Sequence, residues 1–148
     1  MRNAVLLKIG GMRLVLAQAD VRSLESVMDI DPADCPQGSV GWAPYAGQRW
    51  PAYCLGEGLL LLEPIPAARR VCALLALPQG YLGVLCDEAR TLVDFQEASF
   101  EIPACMYVAQ SPISGLRMVE EGLACVSDAG RLSAYLQQTS VVHNAEVL

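Results

Sequence analysis

The residues with the most obvious chemical potential are one histidine, His143, near the C-terminal end, and six cysteines, Cys35, Cys54, Cys72, Cys86, Cys105 and Cys125. Acyl transfer by a Ser-His or Cys-His pair needs an imidazole held beside its nucleophile, and a lone histidine in a polar terminal segment does not meet that need. Zinc and dithiol sites use closely spaced cysteine pairs. Here no two cysteines lie closer than 14 residues and most sit in apolar runs, so they read as buried, reduced, structural thiols. Asp29, Asp31 and Asp34 lack the Asp-x-Asp-x-Asp-Gly order and closing Glu of a calcium loop, and Glu120-Glu121 precedes a turn glycine. Both sets read as solvated turns. Gly10-Gly11 and Gly56-Glu57-Gly58 lack the Gly-Lys-Ser/Thr sequence and strand-to-helix setting that aim amides at a phosphate. No catalytic residue, metal site or cofactor is expected, and the chain reads as a non-enzyme.

Recognition chemistry is better represented. Trp42, Tyr45, Trp50 and Tyr53 fall within one short stretch together with Arg49, and Trp, Tyr and Arg dominate the energetics of protein interfaces. Some of these aromatics are expected in the core and some on an outer face. Arg69-Arg70 reads as a solvated cap on the start of a strand. The net charge of −6 and the absence of a Lys/Arg stripe argue against nucleic acid as a partner, leaving proteins.

These side chains need a frame. The 148 residues suffice for one domain with its own core, expected over 1–138 with a loose tail at 139–148, and 53% apolar residues imply extensive burial or an apolar binding face. No apolar run, Leu59 to Leu62 included, approaches the roughly 20 residues of a membrane helix. The short apolar stretch Ala4 to Leu7 does not suit a secretory signal, so a cytoplasmic location is expected.

Val5–Ile9 and Met12–Leu16 flank Gly10-Gly11 as a predicted hairpin. Apolar residues at Val21, Leu24, Val27 and Met28 predict a short helix over Ala19–Met28, followed by a loop over Asp29–Gly38. Val40–Tyr45 and Trp50–Leu55 form a second hairpin around Gly47, whose Pro51 places its strand at an edge or delays its pairing. Val71–Leu77 and Tyr81–Cys86 form a third hairpin around Pro78-Gln79-Gly80. Asp87–Leu92 is a short helix or bend, and Val93–Glu101 an acidic connection. Leu116–Val119 and Leu123–Ser127 are strands, and Asp128 caps a helix over Ala129–Gln137. Nine or ten short strands with two or three short helices predict a mostly β chain, preferably two small barrels sharing a core.

The turn of the second hairpin resembles the Asn-Leu-Arg-Gly-x-x-x-Pro-x-x-Asp-Leu signature of the CheW family of chemosensory coupling proteins, matching at Gly47, Pro51 and Leu55. In the same order, Asp20-Val21-Arg22-Ser23-Leu24 resembles the family's Val-x-Glu-Val element, Gly83-Val84-Leu85-Cys86-Asp87 its Gly-Leu-Leu-Val-Asp, and Ser114-Gly115-Leu116 its Arg-Gly-Val. The likeness spans roughly residues 4 to 137. It implies two five-stranded β-barrels around a shared core, without catalysis or cofactor. It also implies an adaptor coupling a CheA-type histidine kinase to a chemoreceptor through barrel edges and apolar grooves. Ala46, Ser23 and Cys54 replace the family's Arg, Glu and Asp at polar contact positions, which points to a divergent member, such as one in an accessory system for type IV pili and twitching motility. The resulting partner-binding set is Val21, Ser23, Trp42, Tyr45, Ala46, Gly47, Arg49, Trp50 and Tyr53. The alternatives are a small-molecule-binding or enzymatic β-barrel and a self-associating structural module, so a homodimer also stands open.

Overall fold

The computed structural model describes residues 3–93, 99–100, 111–119 and 122–147. Strands β1 (Ala4–Ile9) and β2 (Met12–Ala17) pair antiparallel in unbroken register, from Ala4 opposite Ala17 to Ile9 opposite Met12. Strands β4 (Gly41–Tyr45) and β5 (Gln48–Cys54) form the second predicted hairpin, and β6 (Val71–Leu77) and β7 (Gly80–Cys86) the third. Strands β8 (Glu88–Leu92), β9 (Ser99–Phe100), β10 (Gly115–Val119) and β11 (Gly122–Val126) complete the β structure. Asp87–Leu92 is therefore mostly strand, paired with β1, and not helix. The predicted Glu120-Glu121 turn, Cys105 and much of the 93–101 connection lie outside the described residues.

The predicted helix over Ala19–Met28 is strand β3 (Val21–Ser26), flanked by 3-10 turns at Gln18–Asp20 and Val27–Asp29. The apolar spacing was misleading because these residues do not share a buried face. Val21 packs on the core, whereas Leu24 is 48% and Met28 89% exposed. Burial alternates along β3 with the two-residue period of a strand. It leaves Ser23 and Glu25 on the half-buried face, where the Ser23 hydroxyl donates to Glu25 Oε1 at 2.7 Å.

The strands make two sheets, ordered β8-β1-β2-β11-β10-β9 and β3-β6-β7-β5-β4. The first has five principal strands plus the two-residue β9. Each joins antiparallel hairpins through one parallel pair, β2 with β11 and β5 with β7. The facing sides, with Leu7, Ile9, Leu14 and Leu16 from one sheet and Leu75, Leu82 and Val84 from the other, build a shared core. Each sheet also buries its opposite side: Ala4, Leu6 and Val15 in one barrel, Ala52, Cys54, Cys72, Leu74 and Leu85 in the other. Burial on both faces explains why β1, β6 and β7 read as nearly continuous apolar runs.

Helix α1 (Ala129–Val147) seats Leu132 and Leu136 in the shared core. Its first turn is held as the sequence predicts, the Asp128 carboxylate accepting from the Arg131 N–H at 2.8 Å. A second carboxylate, Asp20 from the turn before β3, accepts from the Ala129 N–H at 3.3 Å. The helix runs well past Gln137, so the expected loose tail from Thr139 continues as helix to Val147. No Gly or Pro follows Gly130 to stop it. Among the described residues no helix is long and apolar enough to cross a membrane.

Candidate protein-interaction site

The β4–β5 hairpin turns through Ala46 and Gly47, with φ of 53° and 75°. Positive φ at both positions gives the tight turn whose twist matches that of the flanking strands, and the second position uses the freedom of Gly47. Ala46 holds the same left-handed region at a steric cost of roughly 1–2 kcal/mol. From this turn the period of two sorts the aromatic residues. Tyr45 and Trp50 pack inward on the barrel core, while Trp42 and Arg49 share the other face. The Arg49 guanidinium lies 4.7 Å from the centroid of the Trp42 ring, and the indole N–H donates to the Asp34 carbonyl at 3.2 Å. These contacts favour one arrangement of the two side chains ahead of any partner, which lowers the entropy lost on binding.

The backbone beside Trp42 is closed. Its N–H donates to the Asp31 carbonyl at 2.7 Å, and its carbonyl accepts from the Asp31 N–H at 2.9 Å. Pro44, the next residue turned outward, has no N–H to offer. Although β4 is a sheet edge, it presents side chains and not an open ladder. Pro51 fits its predicted place: β5 begins pairing with β7 only at Ala52. The loop that holds Trp42 also lines a cleft of about 350 Å³, formed by Pro32, Cys35 and Val40 against Pro64 and Ile65.

A second layer supports the hairpin from inside. Tyr81 packs edge-on against both Tyr45 and Trp50, each with ring centroids 5.1 Å apart, and the Trp50 indole donates to the Tyr45 carbonyl at 3.1 Å. A side chain at Gly80 would collide with the Trp50 ring, so this close approach requires glycine. Across the barrel mouth, Arg22 Nε of β3 donates to the Tyr45 hydroxyl at 3.1 Å. That hydrogen bond is the main cause raising the Arg22 pKa, so the guanidinium stays charged.

The two barrels are fastened by Arg69, which is 5% exposed and not the solvated cap expected from sequence. Its Nη1 meets Asp87 Oδ1 at 2.6 Å, and its Nη2 donates to the Leu55 carbonyl at 2.9 Å. Asp87 Oδ2 accepts from the Gly10 N–H of the β1–β2 turn, and the Asp87 N–H donates to the Lys8 carbonyl. The aspartate of the Gly83–Asp87 motif is therefore a structural tie between sheets. Burial pushes the thiols of Cys72 and Cys86 up to about 12, with the Asp87 charge adding to the shift at Cys86. Both stay protonated at ordinary pH.

Of the expected contact residues, Ala46, Gly47 and Arg49 are exposed, and Trp42 is half-buried beneath the Arg49 guanidinium. Tyr45 and Trp50 are half-buried supports, Val21 packs against the shared core, and Ser23 is turned to Glu25. Tyr53 is 5% exposed within the shared core and offers no contact surface, because alternation along β5 sends it to the face opposite Trp50. Cys54 is fully buried, so in this chain the position fills the barrel core and makes no polar contact with a partner. Asp31, Asp34 and Tyr81 were not foreseen. Their roles depend on tertiary approach, and only the Asx-type composition of the Asp29–Gly38 loop hinted at a backbone-bonding segment.

No family model matches the sequence, and no curated protein matches it. Among solved structures, the chain is similar to the scaffolding protein TtCheW from Thermoanaerobacter tengcongensis, with a TM-score of 0.65 and 14% identity over 86% of this chain and 88% of that one. The two sheets, their parallel junctions and the shared core accordingly constitute a CheW-like fold.

Proposed function

We propose that this protein is a non-enzymatic, cytoplasmic adaptor of the chemotaxis type, coupling a CheA-type histidine kinase to a chemoreceptor. The observation that carries this reading is a CheW-like fold presenting a prearranged Trp42–Arg49 pair on the outer face of the hairpin. Proteins of this build act by positioning partners, and an aromatic residue locked under a guanidinium is well suited to anchor one. Because Ala46 stands where the family turn carries arginine, recognition here rests on apolar burial and cation–π contact more than on paired charges. The test is retention of the purified chain on the kinase regulatory domain and, separately, on the receptor signalling tip encoded near it. Binding to at least one, weakened by Trp42→Ala, is expected. Failure to bind either would remove the coupling role.

A further inference from the structure

The opposite edge of the same sheet, β3, differs from β4. The Val27 N–H donates to the Arg70 carbonyl at 3.1 Å, continuing the β3–β6 register in which Ser26 faces Val71 and Glu25 faces Cys72. Backbone direction alternates along an antiparallel strand, so Glu25 turns its amide and carbonyl toward β6 while Leu24 and Ser26 turn theirs outward. Among the described residues no strand pairs with that outer edge, and β3 contains neither proline nor lysine to blunt it. Leu24, in its middle, is 48% exposed, and Met28, just beyond it, is 89% exposed.

We propose that β3 pairs antiparallel with β3 of a second copy of this chain, with Leu24 on the two-fold axis, extending the five-stranded sheet into a ten-stranded one across two molecules. The strand's own sequence selects this partner and this register. Only outward-facing residues can share hydrogen bonds, and because the β3–β6 register shifts between Val21 and Ser23, the regular part of the strand leaves Leu24 opposite itself or opposite Ser26. The last choice sets Glu25 against Glu25 of the partner copy, a like-charge pair that opposes association. With Leu24 opposite itself, the two exposed leucines cover one another, and Ser23 stands opposite Glu25, a donor–acceptor pair of the kind already made within each chain. Strand β8, an edge of the other sheet, carries Glu88, Arg90 and Thr91 on its exposed positions and has no comparable apolar centre. With Leu24 on the axis only residues 22–26 of the two strands lie opposite one another, which buries little area, so the dimer belongs to the weak, transient class.

Sedimentation velocity of the full chain from about 10 μM to about 0.5 mM spans the range in which such an interface fills. Concentration-dependent dimer is expected for the wild type. For Leu24→Lys, which folds normally because the position is half exposed, at least a tenfold weaker association is expected. Mild oxidation of Leu24→Cys should give a covalent dimer, since directly opposed residues of a hydrogen-bonded pair lie about 5.5 Å apart, within disulfide reach. Ser26→Cys and the wild type serve as controls and should not cross-link. A wild type that stays monomeric, an unchanged Leu24→Lys dimer, or cross-linking no better at position 24 than at 26 would each overturn the proposal.

Discussion

Strands β4 and β3 close the same five-stranded sheet on its two sides, yet they are finished in different ways. On β4 the Asp31 bridge consumes the outward groups of Trp42 and Pro44 offers no N–H, and beside them stand two side chains in contact, Trp42 and Arg49. On β3 the backbone is open and the outward side chains are mixed: Arg22, Leu24 and Ser26. In the roles proposed for them, the first edge would select partners by shape and π-face and the second by strand addition. The lesson is that an edge position in a sheet does not by itself make a ladder available. The hydrogen bonds of each outward residue have to be followed one by one.

The comparison can be broken or sharpened experimentally. The largest effect is expected from the tie on which both edges depend. Asp87→Ala strands the buried Arg69 guanidinium and should cost about 3–5 kcal/mol in chemical denaturation, weakening both edges alike. If only one edge lost its partner, the edges would not share a frame. Alkaline pH acts next, at the centre of the sheet. The Cys72 and Cys86 thiols are raised to about 12 when folded, against roughly 9 unfolded, so the unfolded chain releases protons first and stability falls as pH rises through this window. Between pH 8 and pH 10 the two together should remove about 2–3 kcal/mol, measured by urea titration at each pH, and Cys72→Ala should remove about half of that dependence.

Trp42→Ala separates the edges. It should weaken partner binding by about 30-fold, equivalent to about 2 kcal/mol, in calorimetry while leaving self-association through β3 unchanged. Equal loss of both would merge the two surfaces into one. The smallest effect belongs to the turn. Ala46→Asn suits the left-handed position better and should raise stability by about 1 kcal/mol in thermal unfolding without altering self-association through β3.

The sequence carried the hairpins plainly. Gly10-Gly11, Gly47 and Pro78-Gln79-Gly80 each sit between runs of β-forming residues, and all three turn where expected. It also carried the Asp128 cap, since a carboxylate just before an apolar helical pattern satisfies amides that are local in the chain. β3 was misread because four apolar residues at helical spacing imitate a buried stripe, and only pairing with β6 shows that Leu24 and Met28 are left outside. The candidate site was half legible. The cluster of Trp42, Tyr45, Arg49 and Trp50 was visible, whereas its division into an outer pair and an inner support was not.

What the sequence determined by itself was everything governed by neighbours along the chain: turn positions, strand periodicity, the helix start, and the absence of residue spacings suited to zinc or dithiol chemistry. Tertiary structure alone decided the fate of Arg69, Tyr53 and Cys54, and which edge was closed and which left open. Each of those outcomes depends on groups brought together from distant segments, such as Arg69 with Asp87 and Trp42 with Asp31. Burial and hydrogen-bond satisfaction are properties of that meeting, and no spacing within one strand encodes them.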